Sequence, residues 1–376
     1  MIIETHTYMF PVHSWEFFVM AHEAWDAMYR ACSDAKESID LEQFIFYNDT
    51  IGGKFGALMI RKAREGKRVR LLVDTVGSFP FVSSTLLNEM REAGVEISYF
   101  NYIKPWKISR IKYWLFRDHR KLLIVDKKIA FMGGVGIGDK LGPWRDTQFS
   151  IEGPVVAECV EAFEHVWTTN EQDKFVPFKK PRFVSGGFML VPHAPHFRQR
   201  HIRNTYIDAL RSARRYAYIT TPYFAPDRRL FRVMRLAARR GVDVRLLVPE
   251  KGDPAFMDKI ADAQFGKALR SKIKIYKYTS RMMHAKTIAI DDDWASVGSC
   301  NLDDSSLFFN YEITLISVQA KFVETVKRQF EDDILMSHEY TYDEWKKRSW
   351  FQIFLEFYYL YMWRTVFWIL KKIFYF

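Results

Sequence analysis

Apolar and polar positions follow two periods along this chain, and the same order of periods occurs twice. The stretch "SIDLEQFIFYNDTIGGKFGALMIRKAREGKRVRLLVD", which begins at Ser38, predicts a strand, a loop, an amphipathic helix and a second strand. The stretch "YAYITTPYFAPDRRLFRVMRLAARRGVDVRLLVPE", which begins at Tyr216, predicts the same four elements. Each helix pattern stops at a glycine, Gly66 or Gly241, where a left-handed C-terminal cap is easily accommodated. The chain is therefore interpreted as an internal duplication.

The parallel between the two copies continues downstream. Each copy has a further short strand, "VEISYF" or "IKIYKY", then a strand that carries polar residues, and finally a helix. Strands that alternate with helices predict α/β units, each built on a mixed sheet covered by helices. The turn-rich, basic segment 174–187 is the expected linker. We predict an N-terminal half over residues 1–180, a C-terminal half over 186–345 and a separate tail over 346–376.

The tail is dominated by aromatic and aliphatic side chains. Drawn as a helix at roughly 100° per residue, its polar residues Gln352, Glu356, Arg364 and Lys371 fall within one arc and leave a broad apolar face. This pattern is typical of a helix that lies in a membrane interface, and a helix that packs on the core or on another subunit is the alternative. No window of about 18 uncharged apolar residues occurs, which argues against a conventional transmembrane helix. The N-terminal sequence does not predict a signal peptide, because no basic region precedes an apolar run.

Composition narrows the class of partner. The chain has 376 residues, of which 48% are hydrophobic, so it can fill a sizeable core. A formal net charge of +11 indicates anionic partners, and both nucleic acid and a negatively charged membrane surface fit. Cys32, Cys159 and Cys300 are odd in number and widely separated, which predicts neither a disulfide framework nor a CxxC metal site and favours a reducing compartment.

A sparse polar triplet with the spacing H-x-K-x4-D occurs once in each copy. Because side chains i and i+2 of a strand point the same way, the histidine and the lysine of each triplet are expected on one face. A lone histidine on a strand is more often structural than catalytic, but two copies in matching contexts favour a function. The triplets are His119, Lys121 and Asp126 in the first half and His284, Lys286 and Asp291 in the second.

The surroundings of the triplets resemble the phospholipase D superfamily, whose signature H-x-K-x4-D-x6-G-[GS]-x-N occurs twice. The second copy fits in full, ending in "GSCN" at Gly298, Ser299 and Asn301, whereas the first ends in "GGVG" and has Gly136 in place of the asparagine. Within the superfamily, "FRDHRKLLIVD", "GPWRDTQFSIEGPVV" and "MHAKTIAIDD" resemble bacterial cardiolipin synthases of the short type without N-terminal membrane helices.

The resemblance implies a fold and a mechanism. Two α-β-α halves with mixed sheets, related by a pseudo-twofold axis, would enclose one active site at their interface. His119 would be the nucleophile that forms a phosphohistidine, and His284 would act as general acid and then base, with the reverse assignment left open. Lys121 and Lys286 would neutralise the non-bridging oxygens of the substrate phosphate.

Further site residues follow from the same resemblance. Asp146 and Glu312 are candidates for the carboxylates that orient the two imidazoles. Ser299 and Asn301 are candidate donors to the phosphate, and Gly136 leaves that role empty in the first half. Asp126 and Asp291 have either a direct role or that of a structural salt bridge. No metal or other cofactor is expected, because the lysines supply the positive charge and "GGVGIGD" does not fit the dinucleotide pattern GxGxxG.

The expected function is that of a phosphatidyltransferase of cardiolipin synthase type, which joins two phosphatidylglycerols and releases glycerol. A phosphodiesterase, either a phospholipase D that uses water or a nuclease, is the alternative, and a non-catalytic membrane-binding module is disfavoured by the intact triplets. The basic, aromatic insert 101–117 is a solvated loop, a nucleic-acid groove or a lipid headgroup surface. We expect a phospholipid substrate and an anionic membrane surface as partners, with nucleic acid disfavoured, and peripheral attachment to the cytoplasmic face of the bacterial cell membrane. The oligomeric state stays open.

Overall fold

Two mixed β-sheets, one in each half of the chain, form the frame of the protein. The computed structural model describes residues 14–101, 115–171, 176–195 and 199–375. Most of the basic, aromatic insert, residues 102–114, lies outside these ranges, so the three interpretations of it stay predictions. The predicted fold class, two duplicated α/β halves with mixed sheets, is confirmed.

The first half contains eight strands and five helices within the described residues. In chain order they are β1 (Trp15–Met20), α1 (Ala21–Asp34), β2 (Ser38–Gln43), α2 (Thr50–Arg64), β3 (Arg68–Asp74), α3 (Phe79–Val82), α4 (Thr85–Glu92), β4 (Glu96–Phe100), β5 (Arg117–Asp118), β6 (Lys121–Val125), β7 (Ile129–Gly133), β8 (Arg145–Glu152) and α5 (Val155–Glu171). A short 3-10 helix, Asp139–Leu141, lies between β7 and β8.

The second half repeats this order and ends in three additional elements. Its elements are β9 (Phe188–His193), α6 (His201–Ser212), β10 (Tyr216–Thr220), β11 (Phe224–Ala225), α7 (Arg228–Arg239), β12 (Asp243–Pro249), α8 (Phe256–Leu269), β13 (Lys274–Tyr278), β14 (Thr287–Ile290), β15 (Trp294–Gly298), β16 (Leu302–Asp303), α9 (Asp304–Phe308), β17 (Asn310–Ser317), α10 (Ala320–Leu335), β18 (Ser337–Glu339), α11 (Tyr342–Lys346) and α12 (Trp350–Tyr375).

The strand order shows the duplication directly. The first sheet has the order β1-β8-β7-β6-β2-β3-β4, and the second runs β9-β17-β15-β14-β10-β12-β13 with β18 added at its edge. Along the first sheet, neighbouring strands are antiparallel from β1 to β2, and β3 and β4 then run parallel to β2. Along the second sheet, neighbours are antiparallel from β9 to β10, and β12 and β13 run parallel to β10. The two sequence repeats therefore fold into the same topology.

The predicted local elements are confirmed where the sequence pattern was strongest. Helices α2 and α7 begin after Asp49 and Asp227, whose carboxylates accept backbone N–H groups of the first turn. Both helices are followed by the predicted glycines, Gly66 at φ 77° and Gly241 at φ 100°, a conformation that glycine adopts without steric cost. The "VRLL" segments then enter the sheets as parts of β3 and β12.

One hydrophobic core runs between the halves. It combines side chains from the facing strands of both sheets, such as Leu122 and Leu315, with the apolar faces of α5 and α10, which contribute Phe163 and Phe322. Two further clusters cover the outer faces of the sheets. The shared core holds the two sheets in a fixed relation, and the functional site depends on that relation.

The chain also contacts the opposite half immediately before each motif histidine. Strand β5 pairs with β17 of the second half, and the N–H of His119 donates to the carbonyl of Tyr311 at 3.0 Å. Reciprocally, Met283 bridges to Arg145, whose carbonyl accepts the N–H of His284 at 2.7 Å. The expectation that the histidines lie within regular strands was therefore wrong. His119 precedes β6, and His284 and Lys286 precede β14. At both histidines the backbone N–H pairs with the opposite half, so the strand of the histidine's own sheet begins only after it.

Helix α12 lies against the second half with three of the four residues of its polar arc turned inward, while Gln352 is exposed. Glu356 forms an ion pair with Arg348, Arg364 donates to Gln264 at 3.4 Å, and Lys371 forms an ion pair with Asp304. The outward face is aromatic and aliphatic, and its exposed side chains are Trp350, Phe351, Phe354, Phe357, Tyr358, Tyr361, Met362, Val366, Trp368, Ile369 and Ile373. Within the described ranges, no helix combines the length and apolarity needed to cross a bilayer.

Candidate active site

The two motif histidines are each held by a carboxylate of the opposite half. Nδ1 of His119 lies 3.0 Å from Oε1 of Glu312, and Nδ1 of His284 lies 2.6 Å from Oδ2 of Asp146. The crossing of the chain explains this arrangement, because Tyr311 and Arg145, the backbone partners of the histidines, directly precede the two carboxylates. With Nδ1 engaged, Nε2 of each ring is the nitrogen left for chemistry.

Both histidines line a single cavity of about 420 Å³ between the halves. The first half contributes Lys121 and Arg117 to its wall, and the second contributes Asn301 and Asp303. Aromatic side chains complete it, namely Phe44, Tyr47, Trp144, Tyr223, Phe256 and Trp363. The structure thus brings His119 and Lys121 of the first triplet and His284 of the second to one concave site with charged groups and a largely apolar wall, which is the typical composition of a ligand pocket.

Each imidazole is also packed against an aromatic ring. Phe44 meets His119 edge-on at a centroid distance of 4.9 Å, and Trp144 lies 5.0 Å from His284. Because both rings are buried and flanked in this way, their orientation is fixed by packing as well as by the carboxylates.

Burial keeps both imidazoles neutral in the free protein. The pKa of His119 is lowered by burial, which outweighs the opposing charge of Glu312. Burial, reinforced by the charge of Lys286, lowers the pKa of His284 to about 4. A neutral imidazole has a free lone pair at Nε2, so either ring meets the first requirement of a nucleophile.

The two lysines occupy related but unequal positions. Lys121 lines the cavity, and its Nζ donates to the carbonyl of His119 at 2.7 Å. Lys286 lies against the ring of His284, with Nζ 2.9 Å from Nδ1, and acts on that ring by charge because Asp146 already accepts the Nδ1 proton. Burial lowers the pKa of Lys121 to about 8 and that of Lys286 to about 7.

The orienting carboxylates remain ionised in spite of their burial. Burial alone would raise the pKa of Asp146, but Lys286 and His284 lower it further than burial raises it. The same balance lowers the pKa of Glu312, where His119 and Lys121 supply the opposing charge. Each carboxylate can therefore stabilise an imidazolium when its histidine takes up a proton.

Asp126 and Asp291 lie away from the cavity. Asp126 follows β6, so it stands roughly 16 Å along the strand from Lys121. Its carboxylate accepts the N–H groups of residues 36, 37 and 38 at 2.7–2.8 Å, and Asp291 accepts those of residues 214, 215 and 216. Both aspartates have a positive φ, 53° and 55°, at the turn after the strand. This placement favours the structural alternative over direct contact with a substrate, and the partners are backbone amides rather than a salt bridge.

The motif positions after β7 and β15 explain a difference between the halves. Ser299 donates its hydroxyl proton to Glu312, so it supports the carboxylate that orients His119. The corresponding residue of the first half is Gly134, where an added Cβ would lie 2.1 Å from Oδ1 of Asp146. The first half has no room for a serine because its orienting carboxylate packs directly on the backbone. Ser299 is a predicted donor to the phosphate, but its hydroxyl here donates to Glu312, which in turn contacts His119.

The space around the backbone also explains why the motif asparagine, Asn301, has a glycine, Gly136, as its counterpart in the first half. Asn301 is buried at the cavity wall. At Gly136 an added Cβ would lie 2.8 Å from Cδ1 of Leu141 and 3.1 Å from Cβ of Ile45, and the Gly136 carbonyl accepts Nε1–H of Trp25 at 2.9 Å. An asparagine there would press against this apolar wall.

Several cavity residues were not singled out from the sequence. Arg117 and Asp303 flank predicted motif residues, and the contrast between "NLDD" and "GIGD" was a signal that could have identified Asp303. Trp363 comes from the tail, and Tyr223 and Asp253 come from loops of the second half, where no local pattern marks them. Among the described residues, no cluster of three or more His, Cys, Asp or Glu side chains could hold a metal ion.

Two α/β halves that each place one motif histidine in a shared cavity define a phospholipase D-type enzyme. A family model described as cardiolipin synthase, PLD-like domain, matches residues 28–167 and 206–334. The chain therefore belongs to the cardiolipin synthase family of phospholipase D-like proteins. The family and the phosphatidyltransferase class predicted from the sequence are both confirmed.

Individual proteins agree with this assignment. Cardiolipin synthase 1 of Bacillus cereus is 34% identical over 347 residues, a match that covers 87% of this chain and 67% of that protein. The cardiolipin synthase of Listeria welshimeri is 32% identical over 348 residues, covering 89% and 71%. The crystal structure of phosphatidylserine synthase from Haemophilus influenzae Rd KW20 has the same fold, with a TM-score of 0.72, 12% identity and 88% of each chain covered.

Proposed function

We propose that the protein transfers a phosphatidyl group from one phosphatidylglycerol to the headgroup hydroxyl of another and releases glycerol. The observation that carries this proposal is the reciprocal pairing of His119 with Glu312 and of His284 with Asp146 at one cavity. Two independently oriented imidazoles can hold the opposite protonation states that phosphodiester exchange requires.

In the first step Nε2 of His119 attacks phosphorus and the P–O bond to the glycerol headgroup breaks. The His284 imidazolium donates its proton to the departing alkoxide, so glycerol leaves as a neutral alcohol. In the second step the hydroxyl of the acceptor lipid attacks phosphorus, His284 takes up its proton, and the P–N bond breaks to regenerate neutral His119. The anionic phosphate itself favours protonation of His284 on binding, against the effect of burial.

Positive charge next to the histidines supports the phosphoryl chemistry. Lys121, Lys286 and Arg117 lie at or beside the cavity, where water is largely replaced by protein. Fixed ammonium groups in such a site stabilise the charge that develops on the non-bridging oxygens, and they need no metal ion to do so.

We infer that α12 attaches the enzyme to an anionic membrane surface, at the cytoplasmic face of the bacterial cell membrane. Two observations support this. The outward face of α12 is a contiguous apolar surface, with Tyr361 69% and Trp368 58% exposed, and such a surface marks an interaction site. Trp363 of the same helix lines the catalytic cavity, so lipid bound at this face has a short path to the histidines. The net charge of +11 adds attraction to anionic lipid.

The test is to incubate the purified protein with phosphatidylglycerol vesicles and, separately, with single-stranded DNA, and to identify the products by mass spectrometry. We expect cardiolipin and glycerol from the vesicles, and neither product from His119→Ala or His284→Ala. Phosphatidic acid alone would assign hydrolysis instead, and cleavage of DNA would assign a nuclease.

The roles of the two histidines are tested by trapping. A donor with a leaving group that needs no proton, such as phosphatidyl-p-nitrophenol, allows the nucleophile to react when the acid is missing. In His284→Ala we expect a phosphatidyl adduct on His119, because deprotonation of the acceptor is slowed. An adduct on His284 in the His119→Ala variant would reverse the assignment.

A further inference from the structure

The cavity departs from the pseudo-twofold symmetry of the fold on one side. The polar residues of the second half that line it include Asn301, Asp303 and Ser306. The matching positions of the repeat in the first half are Gly136, Gly138 and Leu141, which also line or adjoin the cavity but offer no polar side chain. At these three positions the second half is therefore polar and the first half is not, although both derive from the same repeat.

The polar side has unused hydrogen-bonding capacity. Asn301, Asp303 and Ser306 are 3%, 2% and 1% exposed. Oδ1 of Asn301 and Oγ of Ser306 have no hydrogen-bond partner among the described residues. Buried polar atoms are usually paired, so the two unpaired atoms on residues that line the cavity are hydrogen-bonding capacity that a ligand there could use.

Asp303 adds a carboxylate to this group. Its Oδ1 accepts the N–H of Ser306 at 2.9 Å, which fixes the side chain at the wall. Burial raises the pKa of Asp303 to about 7, so an added donor at its carboxylate would relieve an unfavourable state. A carboxylate, an amide and a hydroxyl side by side match the donors and acceptors of adjacent alcohol groups.

The first half cannot provide the same contacts. An added Cβ at Gly138 would lie 2.7 Å from the ring of Tyr47, and Leu141 and Ile45 fill the space beside Gly136. These apolar side chains suit the glycerol backbone and acyl chains of a lipid and leave free hydroxyls unpaired.

We propose that Asn301, Asp303 and Ser306 form a polyol subsite, which binds the glycerol headgroup of the donor as it leaves and that of the acceptor as it arrives. The inference rests on the phosphatidyl transfer proposed above and deepens it by naming the acceptor class, an alcohol with a second hydroxyl next to the reacting one. The subsite lies in the half that carries His284, and this agrees with His284 as the group that exchanges protons with the headgroup oxygen.

The experiment is a competition between acceptors. Phosphatidyl-p-nitrophenol serves as donor, since its leaving group has no polyol, and glycerol and 1-propanol are supplied at equal concentration. Release of p-nitrophenol reports on the transfer to histidine, and the ratio of phosphatidylglycerol to phosphatidylpropanol reports on the acceptor. The ratio is formed within each variant, so a change in total rate does not enter it.

We expect the wild type to favour glycerol by more than about tenfold, because a site built to bind a hydroxyl rejects the analogue that lacks it. Ser306→Ala and Asp303→Asn should each lower the ratio by about tenfold, the equivalent of one lost hydrogen bond. The asparagine retains an oxygen that can accept the Ser306 N–H, so this variant keeps the local fold. Ser212→Ala, at the end of α6, is the matched control and should keep the wild-type ratio.

A ratio near one in the wild type, or an unchanged ratio in both variants, would overturn the polyol subsite. Failure of the underlying function looks different. If the wild type releases no p-nitrophenol, or releases it equally well in His119→Ala, or forms only phosphatidic acid, then the phosphatidyl transfer itself is refuted.

Discussion

Nδ1 of His119 lies 3.0 Å from a carboxylate oxygen of Glu312, although the two residues are 193 positions apart in the sequence. The reciprocal contact joins His284 to Asp146 across 138 positions. Neither half of the molecule therefore holds a fully oriented imidazole by itself. Activity depends on the relative position of the halves, which the shared core and the crossing strands define.

Replacement of the orienting carboxylates should reduce the rate far more than it reduces binding. Glu312→Gln and Asp146→Asn keep the shape of each side chain but remove the charge that fixes the tautomer and stabilises the imidazolium. We expect kcat to fall by roughly 10² to 10⁴ in each variant, by analogy with the effect of such a change in a serine protease triad. Steady-state kinetics on phosphatidylglycerol measure this.

Asp332→Asn, an exposed carboxylate on α10, is the matched control and should behave as wild type. A loss of less than about threefold in both site variants would show that the carboxylates serve packing alone.

Loss of Asp126 or Asp291 should act on stability. Each carboxylate accepts three backbone N–H groups at the start of a central strand, and part of each network is open to water. We expect Asp126→Ala and Asp291→Ala to lower the free energy of unfolding by about 1–3 kcal/mol each. Denaturant titration measures the change.

Asp126→Asn should recover much of this stability, because asparagine tolerates the positive φ and keeps one acceptor oxygen. A fall in kcat for the folded Asp126→Ala protein, with unfolding unchanged, would restore the direct role.

Introduction of the family asparagine at Gly136 should destabilise the protein. Its Cβ would meet the side chains of Leu141 and Ile45 at 2.8 and 3.1 Å, and overpacking of this kind costs about 1–3 kcal/mol. The double variant Gly136→Asn/Leu141→Ala should lose less stability than the sum of its two single changes, because the added and the deleted side chains compete for the same space. Gly53→Asn is the control, because an added Cβ there meets no atom within 4 Å. Equal unfolding midpoints for Gly136→Asn and Gly53→Asn would contradict the steric explanation.

The rate should decrease on the alkaline side of neutrality. Burial lowers the pKa of Lys286 to about 7 and that of Lys121 to about 8. An amine is charged below its pKa and neutral above it, so the charge that stabilises the phosphoryl oxygens is present at low pH and is lost as pH rises through this window. We expect kcat/KM to fall by up to about tenfold per pH unit for each lysine that deprotonates.

Lys286→Arg offers a separate check on this assignment, since a guanidinium stays charged throughout the range. The variant should be slower because its geometry differs, but the first part of its alkaline decline should disappear. A pH profile with the wild-type midpoint would assign the decline to another group.

The outward face of α12 should determine vesicle binding. The triple variant Phe354→Glu/Tyr361→Glu/Trp368→Glu places three charges on side chains that are 59%, 69% and 58% exposed, so folding should change little. We expect binding to phosphatidylglycerol vesicles to weaken by at least about tenfold in co-sedimentation. Phe79→Glu/Leu335→Glu is the control, on two apolar residues of other elements that are 70% and 82% exposed. Undiminished binding of the triple variant would remove the membrane role of this face.

The sequence predicted those features that depend on neighbours along the chain. Helices α2 and α7, their terminal glycines and the strands that follow are encoded locally, and the histidine and lysine spacing is visible without a structure. The identity of the partner of each histidine is not local: Glu312 and Asp146 could be proposed only by resemblance, and their crossed pairing results from the way β5 joins the opposite sheet. Asp303 was missed because its importance lies in a contrast between the halves.

The orientation of the tail helix α12 is a further feature that the local sequence could not predict. Of the predicted polar arc of Gln352, Glu356, Arg364 and Lys371, the last three share an inward face and Gln352 is exposed. The direction in which such an arc faces depends on its partners. Here Arg348, Gln264 and Asp304 draw the arc inward and leave the aromatic side outward. Periodicity defines two faces of a helix, and tertiary contacts decide which of them meets solvent.

The crossed strands before His119 and His284 also affect how activity scales with concentration. A chain with only one motif and the same geometry would complete its site only by dimerising with a second copy, so its specific activity would drop on dilution. Fusion of the two copies turns that encounter into an intramolecular contact with a fixed, high effective concentration. At constant lipid, each chain is expected to work at the same rate however few of them are present.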